Sequence, residues 1–547
     1  MVSPQLALFK LFKQKTALII DDYPDMRGSI RRMLVNFGVE SIDTASNGDE
    51  AILKCDDNRY DIILADYNLG DGKSGQQILE EMRYKGTLKQ TSLYMMITAE
   101  TTKSMVFGAL EYQPDDYLTK PFTQSVLQKR LGRMVLEKEA LHEIYKAMDM
   151  LDFDLAIELC KNRIALHDKY ESRCHRIMGS CFYKKHKYSQ AKELYKNVLS
   201  ERDVEWASIG LGKSLMALNE LEEAEEIFGK LIDNGCQCLE IYDCMADIKV
   251  RKGEAEQAQL LLEKAAAISP NAILRQEKIA ELAEANHDWA SAEAAHKKVI
   301  RLGNNSVYET PEHHFNLARC ISAELKHSKD KPAQRIKDAQ EILRRARRKY
   351  KNHDNIHLQS DIIEAGVYAD AGDEQKAKEK VAASQARIEQ AENKSVQLSL
   401  DMAKTFKAIG DDKKSMELLT DLAKKYADDP DICMKIDAMS DEPITEHGKR
   451  KAIELNQTGK KLFGNKEFNK AIQLFSQALM HYPNNAGLNL NLMLALVKKM
   501  NVDGVSPKGI SRGREAASKL EHLESDHVLY DRFQAVNAHL EKLAQNS

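Results

Sequence analysis

The feature that most constrains this chain is a repeat. Ala191, Ala224, Ala258 and Ala292 follow one another at intervals of 33, 34 and 34 residues. Each comes twelve residues after another small residue: Gly179, Gly212, Ala246 and Ala280. A period near 34 built from helical segments predicts stacked helix–turn–helix units, a solenoid in which each unit buries its apolar face against its neighbours. The small residues have a steric reason. Where two antiparallel helices cross closely, a large side chain holds the backbones apart.

The repeat also governs how length and composition are read. A domain size of about 100–200 residues would divide 547 residues into three or four domains, but a solenoid grows by addition, so two units are expected. The 80 lysines and arginines against 84 aspartates and glutamates give a net charge of −4. That balance argues against a protein that coats polyanions, and nucleic acid is not an expected partner. Charged residues at 30%, aromatics at 6% and only 11 prolines favour a helix-rich protein. No stretch approaches the roughly 18 uninterrupted apolar residues of a membrane span. Residues 1–15 form an N-terminal extension. Its Leu6, Leu8, Phe9, Leu11 and Phe12 are interrupted by Lys10 and Lys13, which predicts a short helix packed on the next domain and not a signal peptide. Nine irregularly spaced cysteines read as reduced core residues of a cytoplasmic protein, and Cys236, Cys238 and Cys244 lack the partners of a zinc site.

Residues 16–138 have a different character. Short apolar runs at Thr16–Ile20, Tyr60–Ala65, Leu93–Thr98 and Asp116–Leu118 alternate with amphipathic segments at Met26–Phe37, Gln76–Tyr84 and Gln124–Glu137. This alternation predicts a parallel sheet with helices on both faces. The runs end at chemically active residues: Asp21–Asp22, Asp66, Thr98, and Lys120 followed by Pro121. The carboxyl ends of parallel strands form the ligand crevice, so these four signals converge. Clustered carboxylates invite a hard divalent cation such as Mg²⁺, and a metal, a lysine and a hydroxyl around one carboxylate suit phosphoryl transfer.

This pattern resembles the receiver domain of two-component response regulators. The resemblance implies an α/β flavodoxin-like fold with a five-stranded parallel sheet. It makes Asp66 the phosphoacceptor, with Asp21 and Asp22 holding Mg²⁺ together with Asp66 and the Asn68 backbone carbonyl. Thr98 and Tyr117 are then the switch residues, Lys120 senses the phosphoryl group, and Glu100 and Asn68 occupy positions that influence dephosphorylation. The loop Tyr67–Gly75 departs from the family, with glycine where proline is usual and one extra residue before Gly75.

From residue 139 to 547 the chain reads as helical repeats. Leu455, Thr458–Gly459, Leu462, Ala471, Phe475, Ala478 and Pro483 occupy the hallmark sites of the tetratricopeptide repeat family, which this region resembles. Gly179, Phe182, Ala191 and Tyr195 form a second such unit. About nine to ten hairpins are expected in an all-α superhelical solenoid, the best units being 172–205, 206–238, 239–271 and 452–485. Ser415 stands where a central alanine belongs, and the 21 residues from Ala318 to Ala339 imply an insertion in that hairpin. With no Pro/Gly linker at Lys138–Met150, the last receiver helix is expected to run on into the array.

No nucleophile–base pair or phosphate loop stands out in this half. His313–His314 and Cys320 share a helix, but the two histidines fall on different faces; Trp206 and Trp289 read as core. Lys326–Lys351 carries eleven basic and three acidic residues, which fits a solvated face, an acidic partner, RNA, or an intramolecular dock. The resemblances imply a response regulator, not an enzyme beyond its own phosphorylation and dephosphorylation. A sensor histidine kinase would phosphorylate it and a protein client would lie in the repeat groove. A second copy binding through the receiver is a further candidate partner. A constitutive scaffold with a docking-only receiver, or an RNA-binding regulator using residues 326–351, are the alternatives.

Overall fold

The computed structural model describes residues 4–99, 111–328, 330, 333–391, 394–440 and 442–545. Five parallel strands, β1 (Thr16–Ile20), β2 (Ser41–Ala45), β3 (Ile62–Asp66), β4 (Leu93–Thr98) and β5 (Asp116–Thr119), form one sheet in the order β2-β1-β3-β4-β5. Every residue of β3 and β4 is buried, as expected of strands covered on both faces. Alternate residues feed two cores. Ala17, Ile19, Ile62 and Leu64 join Ile30, Leu34 and Phe37 of α2 (Pro24–Phe37), whereas Leu18, Ile20, Ile63 and Ala65 join Ala51 and Ile52 of α3 (Gly48–Asp57) and Ile78 and Leu79 of α4 (Gly75–Tyr84). Edge strand β2 is missing from the apolar runs because only Ile42 and Ala45 of its five residues are buried.

α1 (Pro4–Lys13) packs on α5 (Gln124–Ala140). The absence of a side chain at Gly132 admits Leu8, and Phe12 meets the Phe37 ring at 5.9 Å. α5 does not run on into the helical region. It stops at Leu141, whose φ of −112° and ψ of 16° are non-helical, and α6 (His142–Asp149) starts afresh. Leu141 is buried among Ile144, Tyr145 and Met148, and no glycine or proline marks the break.

The described residues after α5 are all helix and short connection, a long all-helical region consistent with a solenoid. The chain forms two compact units. One comprises residues up to 248 with 259–279 and 297–310; the other comprises 249–258, 280–296 and the chain from 311 on. In the first, α8 (Glu171–Lys184), α9 (Tyr188–Glu201), α10 (Glu205–Ala217) and α11 (Leu221–Asp233) pack each on the next. A single steric rule joins the two helices of a hairpin. A Cβ on Gly179 would lie 2.2 Å from the Tyr195 hydroxyl, and one on Gly212 2.5 Å from the Phe228 ring. In the second unit a Cβ on Gly459 would lie 2.3 Å from the Phe475 ring. Each aromatic follows its glycine by 16 residues, and the same interval joins Ala246 to Leu262.

The second unit absorbs irregularities in the period. α16 (Glu312–His327) and α17 (Ala333–Lys349) have 16 and 17 residues against 13 each in α10 and α11, so the insertion expected between Ala318 and Ala339 lengthens the helices. At Ser415, in the place of a central alanine, the buried hydroxyl donates to the Ala403 carbonyl at 2.8 Å, which offsets the cost of burying it.

Two glycines of one hairpin should respond oppositely to alanine. Gly212→Ala forces a methyl into the Phe228 ring and should destabilise the protein by about 1–3 kcal/mol. Gly229, in α11 with no neighbour within 4 Å of its Cβ position, should gain up to ~1 kcal/mol from helix propensity. Urea unfolding of the two variants checks the signs; a stabilising Gly212→Ala would refute the steric rule.

Candidate functional site

Parallel register brings the strand ends together. Ile20 pairs with Ala65, Asp66 with Ile97, and Thr98 with Thr119, so Asp21, Asp22, Asp66, Thr98 and Lys120 meet at one edge of the sheet. Lys120 Nζ lies 2.8 Å from Asp21 Oδ2 and 2.7 Å from Asp66 Oδ2, bridging the first and third strands. Its backbone N–H donates to the Thr98 carbonyl at 2.7 Å, and the Lys120–Pro121 peptide is cis. Asp21 and Thr98 are each 1% exposed. Asp21 Oδ1 accepts the Tyr23 N–H at 2.9 Å, and Arg27 donates to the Asp21 carbonyl at 2.5 Å.

The charges here do not balance internally. Three carboxylates face the Lys120 ammonium and the Arg27 guanidinium, a sum of −3 and +2, or −1. Burial lifts the Asp66 carboxyl above its ordinary range, Lys120 pulls it back only in part, and Asp21 adds to the rise. Burial works against charge on Lys120, but Asp21 and Asp66 outweigh it and raise its pKa. Asp22 Oδ1 is buried with no hydrogen-bond partner, and ligand oxygens of Asp21, Asp22 and Asp66 all lie within 4.8 Å of one another. An orphaned carboxylate oxygen in a cluster of net negative charge fits a hard divalent cation. Asp21, Asp22 and Asp66 would hold it. The Asn68 side chain accepts the Gly70 N–H at 3.2 Å, so a contribution from Asn68 would come from its backbone carbonyl.

The unusual loop is built around glycine. Gly70 and Gly72 have φ of +72° and +106°, a region that favours glycine, and they accommodate the altered loop between Asp66 and Gly75. A Cβ on Gly75 would lie 2.2 Å from the Asp66 carbonyl oxygen, so α4 starts against the end of β3 only because residue 75 is glycine. Ser74 caps α4 in a reciprocal capping box with Gln77.

Tyr117 is half-buried and, like Tyr67, Leu88 and Tyr112, packs against the core on the α3–α4 face of the sheet. Glu100 lies outside the described residues. Arg27 gave no signal in the apolar runs because its role depends on the turn after Asp21. Contacts between the sheet region and the helices also eluded sequence reading. Glu111 pairs with Arg275 and accepts from Ser269 at 2.7 Å, Arg275 also pairs with Asp243, and Gln77 donates to the Asn304 carbonyl at 3.0 Å.

In the helical region, His314 meets the Tyr350 ring at 5.7 Å and Trp206 meets Tyr195 at 6.2 Å, both packing contacts. Burial pushes the half-buried Cys244 thiol up to about 12, so it stays protonated and inert near neutral pH. Four arginines of the basic stretch are in ion pairs: Arg335 with Glu293 and Glu324, Arg344 and Arg345 with Glu341, and Arg347 with Asp361 and Glu364.

Comparison with known proteins places the same segment. Residues 17–132 match the response regulator receiver domain family. Chemotaxis protein CheY-3 of Vibrio cholerae serotype O1 is 28% identical over 124 residues, covering 23% of this chain and 94% of that protein. CheY of Pseudomonas aeruginosa is 28% identical over 117 residues, 21% of this chain and 93% of its own length. The solved structure of Vibrio cholerae CheY4 is 26% identical, covers 22% of this chain and 97% of its own, and has a TM-score of 0.21. Residues 17–132 are thus a receiver domain, and no described helix is long and apolar enough to cross a membrane.

Mg²⁺ at about a hundred times its dissociation constant should stabilise the protein by ~2.7 kcal/mol. Asp22→Asn should lose most of that gain, because it removes one negative charge from the cluster and leaves only a neutral amide. Thermal unfolding with and without Mg²⁺ measures this; an undiminished gain in Asp22→Asn would count against the cation site.

Proposed function

We propose that this chain is a phosphorylation-controlled response regulator whose receiver accepts a phosphoryl group on Asp66 and whose helical array, a set of tetratricopeptide repeats, binds protein partners. The observation that carries this reading is the bridge from Lys120 to Asp21 and Asp66 beside the unpartnered oxygen of Asp22. An Asp66 carboxylate oxygen would form the new P–O bond as the P–N bond of a kinase phosphohistidine breaks, and the departing imidazole would take up a proton. Lys120 lies within hydrogen-bond reach of that carboxylate, where its charge offsets the charge of the transferred group. Mg²⁺ bound by Asp21, Asp22, Asp66 and the Asn68 carbonyl would neutralise phosphoryl oxygens. Thr98 and Tyr117 would carry the change outward, because both belong to strands whose ends face Asp66.

The output follows from hairpin stacking. The first helices of successive hairpins adjoin: α16 packs on α18 (Ile356–Asp370), and α18 on α21 (Val396–Ala408). Such a row suits an extended peptide or a partner helix. An RNA-binding output through residues 326–351 is less well supported, because Arg335 and Arg347 pair with four carboxylates outside the stretch, Glu293, Glu324, Asp361 and Glu364.

Incubation with Mg²⁺ and a small acyl phosphate donor should label the wild-type protein at about one phosphoryl group per chain, and Asp66→Asn should take up none. Lys120→Ala should bind Mg²⁺ but respond weakly to phosphorylation. Absence of wild-type labelling, or persistence of labelling in Asp66→Asn, would overturn this reading.

A further inference from the structure

One hairpin obeys the 16-residue rule in spacing but breaks it in chemistry. α14 (Ile273–Ala285) and α15 (Trp289–Gly303) carry Ala280 and Ala292 at the small positions, yet 16 residues after Ala280 stands His296. Other hairpins place Tyr195, Phe228, Leu262 or Phe475 there. Four residues after the small position the same hairpins have Tyr183, Met216, Val250 and Phe463, whereas this one has Glu284. Two polar groups thus replace two apolar ones at a helix–helix seam, a substitution that costs stability unless each finds a partner.

They find each other and a thiol. His296 is buried, with Nε2 2.8 Å from Glu284 Oε1. α16 brings Cys320 to the same place, buried with Ala283 and Ala292 and packed by Trp289. One ligand atom from each of Glu284, His296 and Cys320 lies within 4.8 Å of the others. Burial, together with the carboxylates of Glu284 and Glu293, holds the Cys320 thiol far above its ordinary range, so it keeps its proton unless a cation offsets those charges. Glu293 and Glu324 pair with Arg335, which leaves Glu284 as the carboxylate of the cluster.

We propose that Glu284, His296 and Cys320 form a binding site for a borderline divalent ion of the zinc class. Imidazole, thiolate and carboxylate are the donor set such ions prefer, whereas Mg²⁺ favours oxygen ligands alone. Thiolate and carboxylate together neutralise a dication. Binding replaces the Cys320 proton, which leaves to solvent, and Glu284 is exposed enough for water to complete a tetrahedral shell. The ion would tie α14 and α15 to α16, the first helix of the lengthened pair α16–α17. The inference is independent of the chemistry at Asp66.

The test uses the full chain, freed of metal, reduced with a phosphine and titrated with Co²⁺ in excess Mg²⁺, so that the harder ion holds the carboxylates at the strand ends. A thiolate-to-cobalt charge-transfer band should grow, saturate at about one equivalent per chain, and disappear on adding Zn²⁺. Cys320→Ser should abolish the band, and Glu284→Gln should weaken Co²⁺ binding about tenfold or more, the scale of effects seen even for outer partners of metal ligands. No band in the wild type, or a band that survives Cys320→Ser, would overturn the proposal. If Cys320→Ser fails to fold by circular dichroism, unchanged affinity in Glu284→Gln overturns it.

Discussion

The helical region depends on how closely two helices can approach at one crossing. Where the first helix offers glycine or alanine, the residue 16 positions on fills the space, as Tyr195, Phe228 and Phe475 do against Gly179, Gly212 and Gly459. Burying such a side chain stabilises by about 1.5–3 kcal/mol, and the gain recurs from hairpin to hairpin. Because each hairpin touches mainly its neighbours, local departures are tolerated. Longer helices take up the insertion at α16–α17, and a single hydrogen bond accommodates Ser415.

The receiver follows the opposite logic. Its central strands β1, β3 and β4 are buried and largely apolar, so charge collects where they end. There a parallel sheet aligns carboxylates that are 45 residues apart in the chain, Asp21 and Asp66, with a lysine 54 residues further on. Burial, with Asp21 beside it, raises the Asp66 carboxyl above its ordinary range, and one oxygen of Asp22 has no hydrogen-bond partner. An excess of buried negative charge is costly to the fold, and this chain concentrates it at one edge. The same physics recurs on a smaller scale at Glu284, His296 and Cys320, where polar groups interrupt an apolar seam.

Much of this was legible in the chain. Strands β1, β3, β4 and β5 stood out as apolar runs, and the residues at their ends were found because a charged or hydroxyl residue closes each run. Strand β2 was not visible, because an edge strand with two buried residues lacks a continuous apolar signal. The break at Leu141 was hidden too: the helix stops at a buried leucine, where glycine or proline would have announced it. His313 and His314 share a helix with Cys320. The groups that actually face Cys320 are 24 and 36 residues upstream, on other helices.

By itself the sequence determined the repeat period, the alternation of strand and helix, and which residues close the strands, since these follow from local periodicity and side-chain size. Only the tertiary structure decided which distant groups share a charge environment. Lys120 between Asp21 and Asp66, Arg275 beside Glu111 and Asp243, and Cys320 against Glu284 and His296 depend on how helices and strands stack. Apolar burial is read from spacing along the chain, but electrostatic pairing acts through a few ångströms of space, and packing alone sets those distances.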